Sequence, residues 1–242
     1  DPLWSRGLGD VYKRQDANRP ISAAAEPLTI EVVALDWKWL FIYPEQGIAT
    51  INELATPVDV PIRFKITAST VMNSFYIPAL AGQIYAMPGM ETQLNAVINK
   101  PGTFDGFSAN FSGAGFSHMR FKYHGMDVAD FDQWVKDAKK NGSTLDRAVY
   151  TELEQPSERE PVRHFGKVAP DLYHAVLNRC VAEGTVCMNK IMHEDANRMK
   201  VQAAARNFLR DEKTVLAEID SAVCTCLLYT SPSPRDRRGS RM

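Results

Sequence analysis

The 242-residue chain carries 28 Lys and Arg against 29 Asp and Glu, a formal charge of −1, which argues against a nucleic-acid partner. With 45% hydrophobic and 10% aromatic residues it has the means to build one large core or two small ones. No uninterrupted apolar run reaches the ~18–20 residues of a spanning helix: the most apolar region, Leu28 to Tyr43, is broken by Glu31, Asp36 and Lys38, and no signal peptide is visible, so the sequence read alone describes a soluble domain.

Residues 1–15 carry no clear period, and the tail 226–242 is rich in Pro, Ser and Arg. Both are expected to be adapter-derived or disordered and are set aside from the fold. Between them the pattern is first that of strands. Leu28–Leu35 is β-branched and partly alternating. Asp36 to Tyr43 follows, with Trp37, Trp39 and Phe41 on one face and Lys38, Leu40 and Ile42 on the other, stopped by Pro44 and Gly47. Ile51-Asn-Glu-Leu is expected as a strand. So is Val60–Thr67, a half-buried strand with Ile62, Phe64 and Ile66 on one face and Arg63, Lys65 and Thr67 on the other. Ala68 to Leu80 contains Asn73, a natural turn residue. Gly82 to Ile98 reads as strand, Pro-Gly turn, strand, with Met87 and Met90 as core filler. Short strands with turns at this spacing indicate an all-β sandwich or barrel.

From Asp127 the period changes. Phe131, Trp134, Val135 and Ala138 recur at helical spacing, with Asp127 or Asp130 as cap and Asn141-Gly142 as stop. A second short helix is expected within Leu145–Leu153, a polar surface segment over Tyr150–Phe165, and a third helix at Pro170–Arg179. Residues 191–222 read as an amphipathic helix with Met199, Ala203, Phe208, Leu209, Val215, Leu216 and Ile219 on one stripe. The four cysteines stand at 180, 187, 224 and 226. A Cys180–Cys187 bridge and reduced thiols fit the spacing equally.

The stretch 102–126 is Gly-rich and aromatic: Gly-Thr-Phe-Asp-Gly-Phe-Ser-Ala-Asn-Phe-Ser-Gly-Ala-Gly-Phe-Ser-His-Met-Arg-Phe-Lys-Tyr-His-Gly-Met. It resembles the copper-binding loop of subunit II of the haem–copper terminal oxidases. Copper-bearing members read Cys-x-Glu-x-Cys-x-x-x-His-x-x-Met there. The matching positions here are Ser108, Asn110, Ser112, Phe116 and Met119, and Asn73 stands where those members carry a further His, in an Asn-Ser-Phe context. Asp36-Trp-Lys-Trp with Tyr43-Pro-Glu-Gln-Gly, and Val168-Ala-Pro-Asp-Leu-Tyr173, are similar to segments of the quinol-oxidising, copper A-free branch. The resemblance covers about residues 28–178.

The resemblance implies a mainly β fold: a cupredoxin-like Greek-key sandwich over 28–126, an aromatic-rich helical arm over 127–178, and a helical extension over 179–225. It implies a periplasmic, non-catalytic domain in a bacterial inner-membrane complex that oxidises ubiquinol, reduces oxygen to water and pumps protons. Haem and copper would lie in the partner, subunit I, and two transmembrane helices would stand upstream of the present start. Trp37, Trp39 and Tyr43 are the expected subunit interface.

The residues themselves argue against copper. A copper A centre is built on bridging thiolates with imidazole and thioether donors, and soft thiolates are what hold copper. Residues 28–126 contain no cysteine, serine hydroxyl is a poor substitute, and Phe116 offers no donor. His118 and His124 would share a strand face six residues apart, at ~3.3 Å each, too far to chelate unaided. No phosphate loop, zinc motif or nucleophile elbow is present. Two rival readings remain: a copper A-bearing cytochrome c oxidase subunit II accepting electrons, and a soluble cupredoxin-like binding module.

Overall fold

The structure, a computed structural model, describes residues 26–208 apart from 81 and 183. The expectations for residues 1–15, for 226–242 and for the stretch from Leu209 onward lie outside the described residues.

Among the described residues, twelve strands form two sheets. In chain order they are β1 Leu28–Leu35, β2 Lys38–Tyr43, β3 Ile48–Ile51, β4 Glu53–Pro57, β5 Ile62–Ala68 and β6 Asn73–Tyr76. Then come β7 Ile84–Ala86, β8 Thr92–Ala96, β9 Gly102–Ser108, β10 Arg120–Met126, β11 Ser143–Leu145 and β12 Arg163–Val168. The helices are α1 Val128–Asn141, α2 Arg147–Glu154, α3 Leu172–Leu177 and α4 Met188–Phe208. One sheet runs β11-β12-β3-β2-β1-β5-β8, the other β4-β10-β9-β6-β7. This is the mainly β sandwich with a C-terminal helical arm expected from the pattern.

The period-two alternation decides what each sheet face buries. Ile30, Val32 and Ala34 of β1, Trp39, Phe41 and Tyr43 of β2, and Phe64 and Ile66 of β5 point into the sandwich, where they meet Phe75, Phe121 and Tyr123 of the other sheet. Trp39 and Phe75 pack edge to face at 5.3 Å, and Phe75 stacks on Phe121 at 5.5 Å. Val33, Leu35, Leu40 and Ile42 point the opposite way. They form a second core with Leu145, Tyr150, Leu153, Phe165, Leu172 and Val176 of the arm. The central strands are therefore buried on both faces, and β2 exposes none of its six residues.

Several expectations change. Ile51-Asn-Glu-Leu is not one strand: Asn52 takes a left-handed conformation, φ 56°, and the chain leaves one sheet as β3 and enters the other as β4. Asn tolerates that conformation because its side chain bonds locally. Here its Oδ1 accepts from the Trp39 amide at 2.9 Å. Met87 and Met90 are not core filler. They flank the Pro88-Gly89 turn, Met87 half-buried and Met90 exposed. The segment Tyr150–Phe165 does not merely wrap the surface. Tyr150, Leu153 and Phe165 are buried, and Arg163–Val168 extends the larger sheet beyond β3. Gly142 ends α1 in extended rather than left-handed geometry, φ −84°. Its need for glycine is steric, since a Cβ there would strike the Gly166 amide of β12.

Cys180 and Cys187 are disulfide-bonded, resolving the open alternative. From Lys190 the chain forms a second unit, described to residue 208. Met199, placed on the apolar stripe of the expected amphipathic helix, is exposed, as are Ile191 and Met192.

Candidate functional site

The six positions of the degenerate copper motif do not share one environment. β6 delivers Asn73 and β9 delivers Ser108, both buried. The Ser108 hydroxyl lies 3.0 Å from Asn73 Oδ1 and 3.2 Å from the Asn110 carbonyl, so its proton is shared between these acceptors. The Ser74 amide donates to the same oxygen at 3.5 Å. Asn73 Nδ2 donates to the Val71 carbonyl at 3.2 Å, and Asn110 Nδ2 to the Met72 carbonyl at 3.1 Å. Neutral amides and a hydroxyl thus tie β6, β9 and the loop together.

The other three positions diverge. Ser112 serves through its carbonyl, which accepts from Trp37 Nε1 at 3.0 Å, while its buried hydroxyl makes no hydrogen bond. Phe116 packs edge to face on the exposed Phe111 at 5.6 Å. Met119 is fully buried in the sandwich core. His118 closes the 3-10 turn Ala114–His118 rather than starting a strand, and meets Arg159 at 3.3 Å. His124 faces Glu53 at 3.3 Å instead, so the two histidines have separate partners. These donors do not fit copper A: thiolate and imidazole are missing, and the thioether is committed to the core. Among the described residues no group of three or more His, Cys, Asp and Glu side chains is placed to hold a metal ion.

Trp37 fixes the loop from the other sheet. It adopts φ 64°, a rare conformation for a bulky residue. Its indole lies on Gly113 and Gly115, and a Cβ at Gly115 would stand 2.5 Å from Trp37 Cδ2. Close approach, not flexibility, requires glycine there. Gly115→Ala is expected to push the indole out and break its bond to Ser112. The cost is about 1–3 kcal/mol of stability, read as a lower denaturation midpoint and altered Trp fluorescence. Trp39 and Tyr43, grouped with Trp37 as an interface, are both 0% exposed. A partner can reach the side chain of Trp37 alone among the three.

Two polar constellations escaped the sequence pattern. Lys38, 1% exposed, donates from Nζ to the Gln155 carbonyl at 2.9 Å and to Ser157 Oγ at 2.6 Å, anchoring the arm to β2. Burial holds its ammonium below the ordinary lysine range, against the opposing pull of Glu160 and Asp36. Glu53 on β4 is flanked by His164 of β12 at 2.5 Å and by His124 of β10 at 3.3 Å. Both sets join residues more than seventy positions apart, beyond the reach of local spacing.

The loop geometry can be set beside known proteins. Residues 43–125 match the family model "Cytochrome C oxidase subunit II, periplasmic domain", and residues 139–184 match "COX Aromatic Rich Motif". The chain belongs to the oxidase subunit II family. The cytochrome bo(3) ubiquinol oxidase subunit 2 of Pseudomonas putida is 49% identical over 164 residues, covering 68% of this chain and 52% of that protein. The subunit of the same name from Pseudomonas aeruginosa is 50% identical, covering 68% and 50%. Ubiquinol oxidase subunit 2 of Acetobacter aceti is 50% identical, covering 67% and 53%. The chain thus spans about half the length of these relatives. Among solved structures, the periplasmic domain of subunit II of a Bradyrhizobium japonicum cytochrome oxidase is 27% identical with a TM-score of 0.45, covering 47% of this chain and 94% of that one. No helix among the described residues is long and apolar enough to cross a membrane.

Proposed function

We propose that this chain is the periplasmic domain of subunit II in a ubiquinol oxidase and that it carries no electrons. The observation behind this reading is the replacement at Asn73 and Ser108. Where a copper A loop needs thiolate and imidazole, this chain has a neutral amide and a hydroxyl that bond each other at 3.0 Å. A hydrogen-bonded pair holds two β-strands and a loop in place but offers no redox step. The likeness to the quinol-oxidase subunits adds the setting. The complex would oxidise ubiquinol, reduce oxygen to water and translocate protons. Its haems and copper would lie in the large subunit, and this domain would cap the periplasmic face of the inner membrane as a non-catalytic part. The Trp37 region is the proposed contact with that subunit.

Copper titration of the purified chain tests the redox half of this reading. No stoichiometric copper and no thiolate-to-copper absorption band are expected. Bound copper with an intense visible band would make the chain an electron carrier instead. Trp37→Ala in the assembled oxidase tests the contact: loss of co-purification with the large subunit supports it, and unchanged assembly and turnover remove it.

A further inference from the structure

The outer face of the larger sheet carries a cavity of about 380 Å³ roofed by the segment that leads into α3. Apolar groups line part of it, including Ile42, Pro44 and Leu177. The remaining lining is charged in an unbalanced way. Glu31 from β1, Glu91 beside β8 and Asp171 before α3 supply three carboxylates, against one ammonium, Lys65 of β5. Glu31 and Lys65 are register neighbours on parallel strands. Tyr173 adds a hydroxyl from a side chain only 7% exposed; it lies beside the Glu91 carboxylate, but no well-formed hydrogen bond satisfies it. A buried phenol left unsatisfied is costly and uncommon.

We propose that this cavity binds a small organic cation with an aliphatic stem, of the alkylammonium class. The ammonium would be met by the half-buried carboxylate of Glu31, by the exposed carboxylate of Glu91, one oxygen of which also accepts from Gln93 Nε2 at 3.2 Å, and by the Tyr173 oxygen. The stem would lie along Ile42, Pro44 and Leu177. An anion would face three carboxylates, and a neutral chain would leave the phenol and the half-buried carboxylate as they are. The site is separate from the copper-loop positions and does not depend on the oxidase reading.

Proton linkage gives the site a signature. Burial raises the Glu31 carboxyl from 4.5 to about 7, outweighing the attraction of Lys65, and Glu91 raises it further. The groups around it are Lys65 and Glu91 from the sheet and Asp171, Tyr173 and His174 from the roof. Without ligand, Glu31 therefore holds a proton much of the time near neutrality. A bound cation favours the ionised form, so affinity rises as pH climbs to 7 and levels off above it.

The test is an NMR titration of the whole chain with butylammonium, with butanol as the isosteric neutral control. The expected result is saturable shifts at the amides of Glu31, Glu91 and Asp171–His174, absent with butanol, with affinity severalfold weaker at pH 6 than at pH 8. Glu31→Gln is expected to weaken binding at least fivefold at pH 8 and to abolish the pH dependence. Tyr173→Phe should weaken it severalfold while leaving the pH dependence in place. Glu91→Gln, on the exposed rim, gives a second charge-removing variant should Glu31→Gln disturb the fold. Equal shifts with butanol, no saturation, or affinity unchanged by both Glu-to-Gln variants would overturn the proposal.

Discussion

Trp39→Ala is expected to cost the fold about 3–5 kcal/mol, the range for truncating a large buried aromatic. Trp39 is fully buried at the centre of the sandwich, packed edge to face on Phe75 at 5.3 Å and on Phe121 at 5.8 Å. These rings come from both sheets, so the cavity left by alanine lies across the sandwich and neither sheet can close it alone. Chemical denaturation reads the effect as a lower midpoint with an unchanged slope. Trp39→Phe should be far milder. It keeps most of the ring packing and removes an indole N–H that is buried without a hydrogen-bond partner. A loss under about 1 kcal/mol for Trp39→Ala would mean that the core does not rest on this ring cluster.

Trp39 also marks how far the sequence could be read. The alternation of Trp37, Trp39 and Phe41 with Lys38, Leu40 and Ile42 is a local, period-two signal, and β2 obeys it through Tyr43. What alternation cannot say is whether the second face meets water or another layer. That depends on β12 and α2, more than a hundred residues later, whose apolar residues are scattered among charged ones. Phe165 follows Arg163 and His164 in a stretch that reads as polar, yet it is fully buried. The site shows the same limit. The absence of soft donors at Ser108, Ser112 and Phe116 is visible by residue type alone. The hydrogen bonding of Ser108 with Asn73 is not, because it joins strands 35 residues apart. Met119 was legible as a sulfur donor by type, but its burial in the core follows from the turn at 114–118, which the Gly-rich composition leaves undetermined.

Lys38→Met is expected to loosen the arm without unfolding the sandwich. Lys38 stands next to Trp39 and points to the opposite face. Its ammonium reaches the Gln155 carbonyl at the C-terminal end of α2, where a cation also suits the helix dipole. The contact continues outward: Ser157 Oγ donates to Glu160 Oε2 at 2.9 Å, Glu160 meets Arg163 at 3.5 Å, and Asn52 Nδ2 donates to the Glu160 carbonyl at 2.9 Å. Methionine keeps the aliphatic stem and removes the donors, leaving the Gln155 carbonyl without its partner. The cost is about 1–3 kcal/mol. Relief of a buried charge works against it, because burial already disfavours the ammonium. The unpaired carbonyl outweighs this relief if the clamp is what seats the arm. Amide hydrogen exchange separates the two cases: α2 and residues 155–160 should exchange roughly ten- to a hundredfold faster, following about 1.4 kcal/mol per decade, while β1, β2 and β5 stay protected. Ser157→Ala should give a smaller loss, and the double variant should cost less than the sum of the singles because the two side chains share one contact. Unchanged exchange in α2, or a stabilised Lys38→Met protein, would show that apolar packing of Leu153 and Phe165 holds the arm by itself.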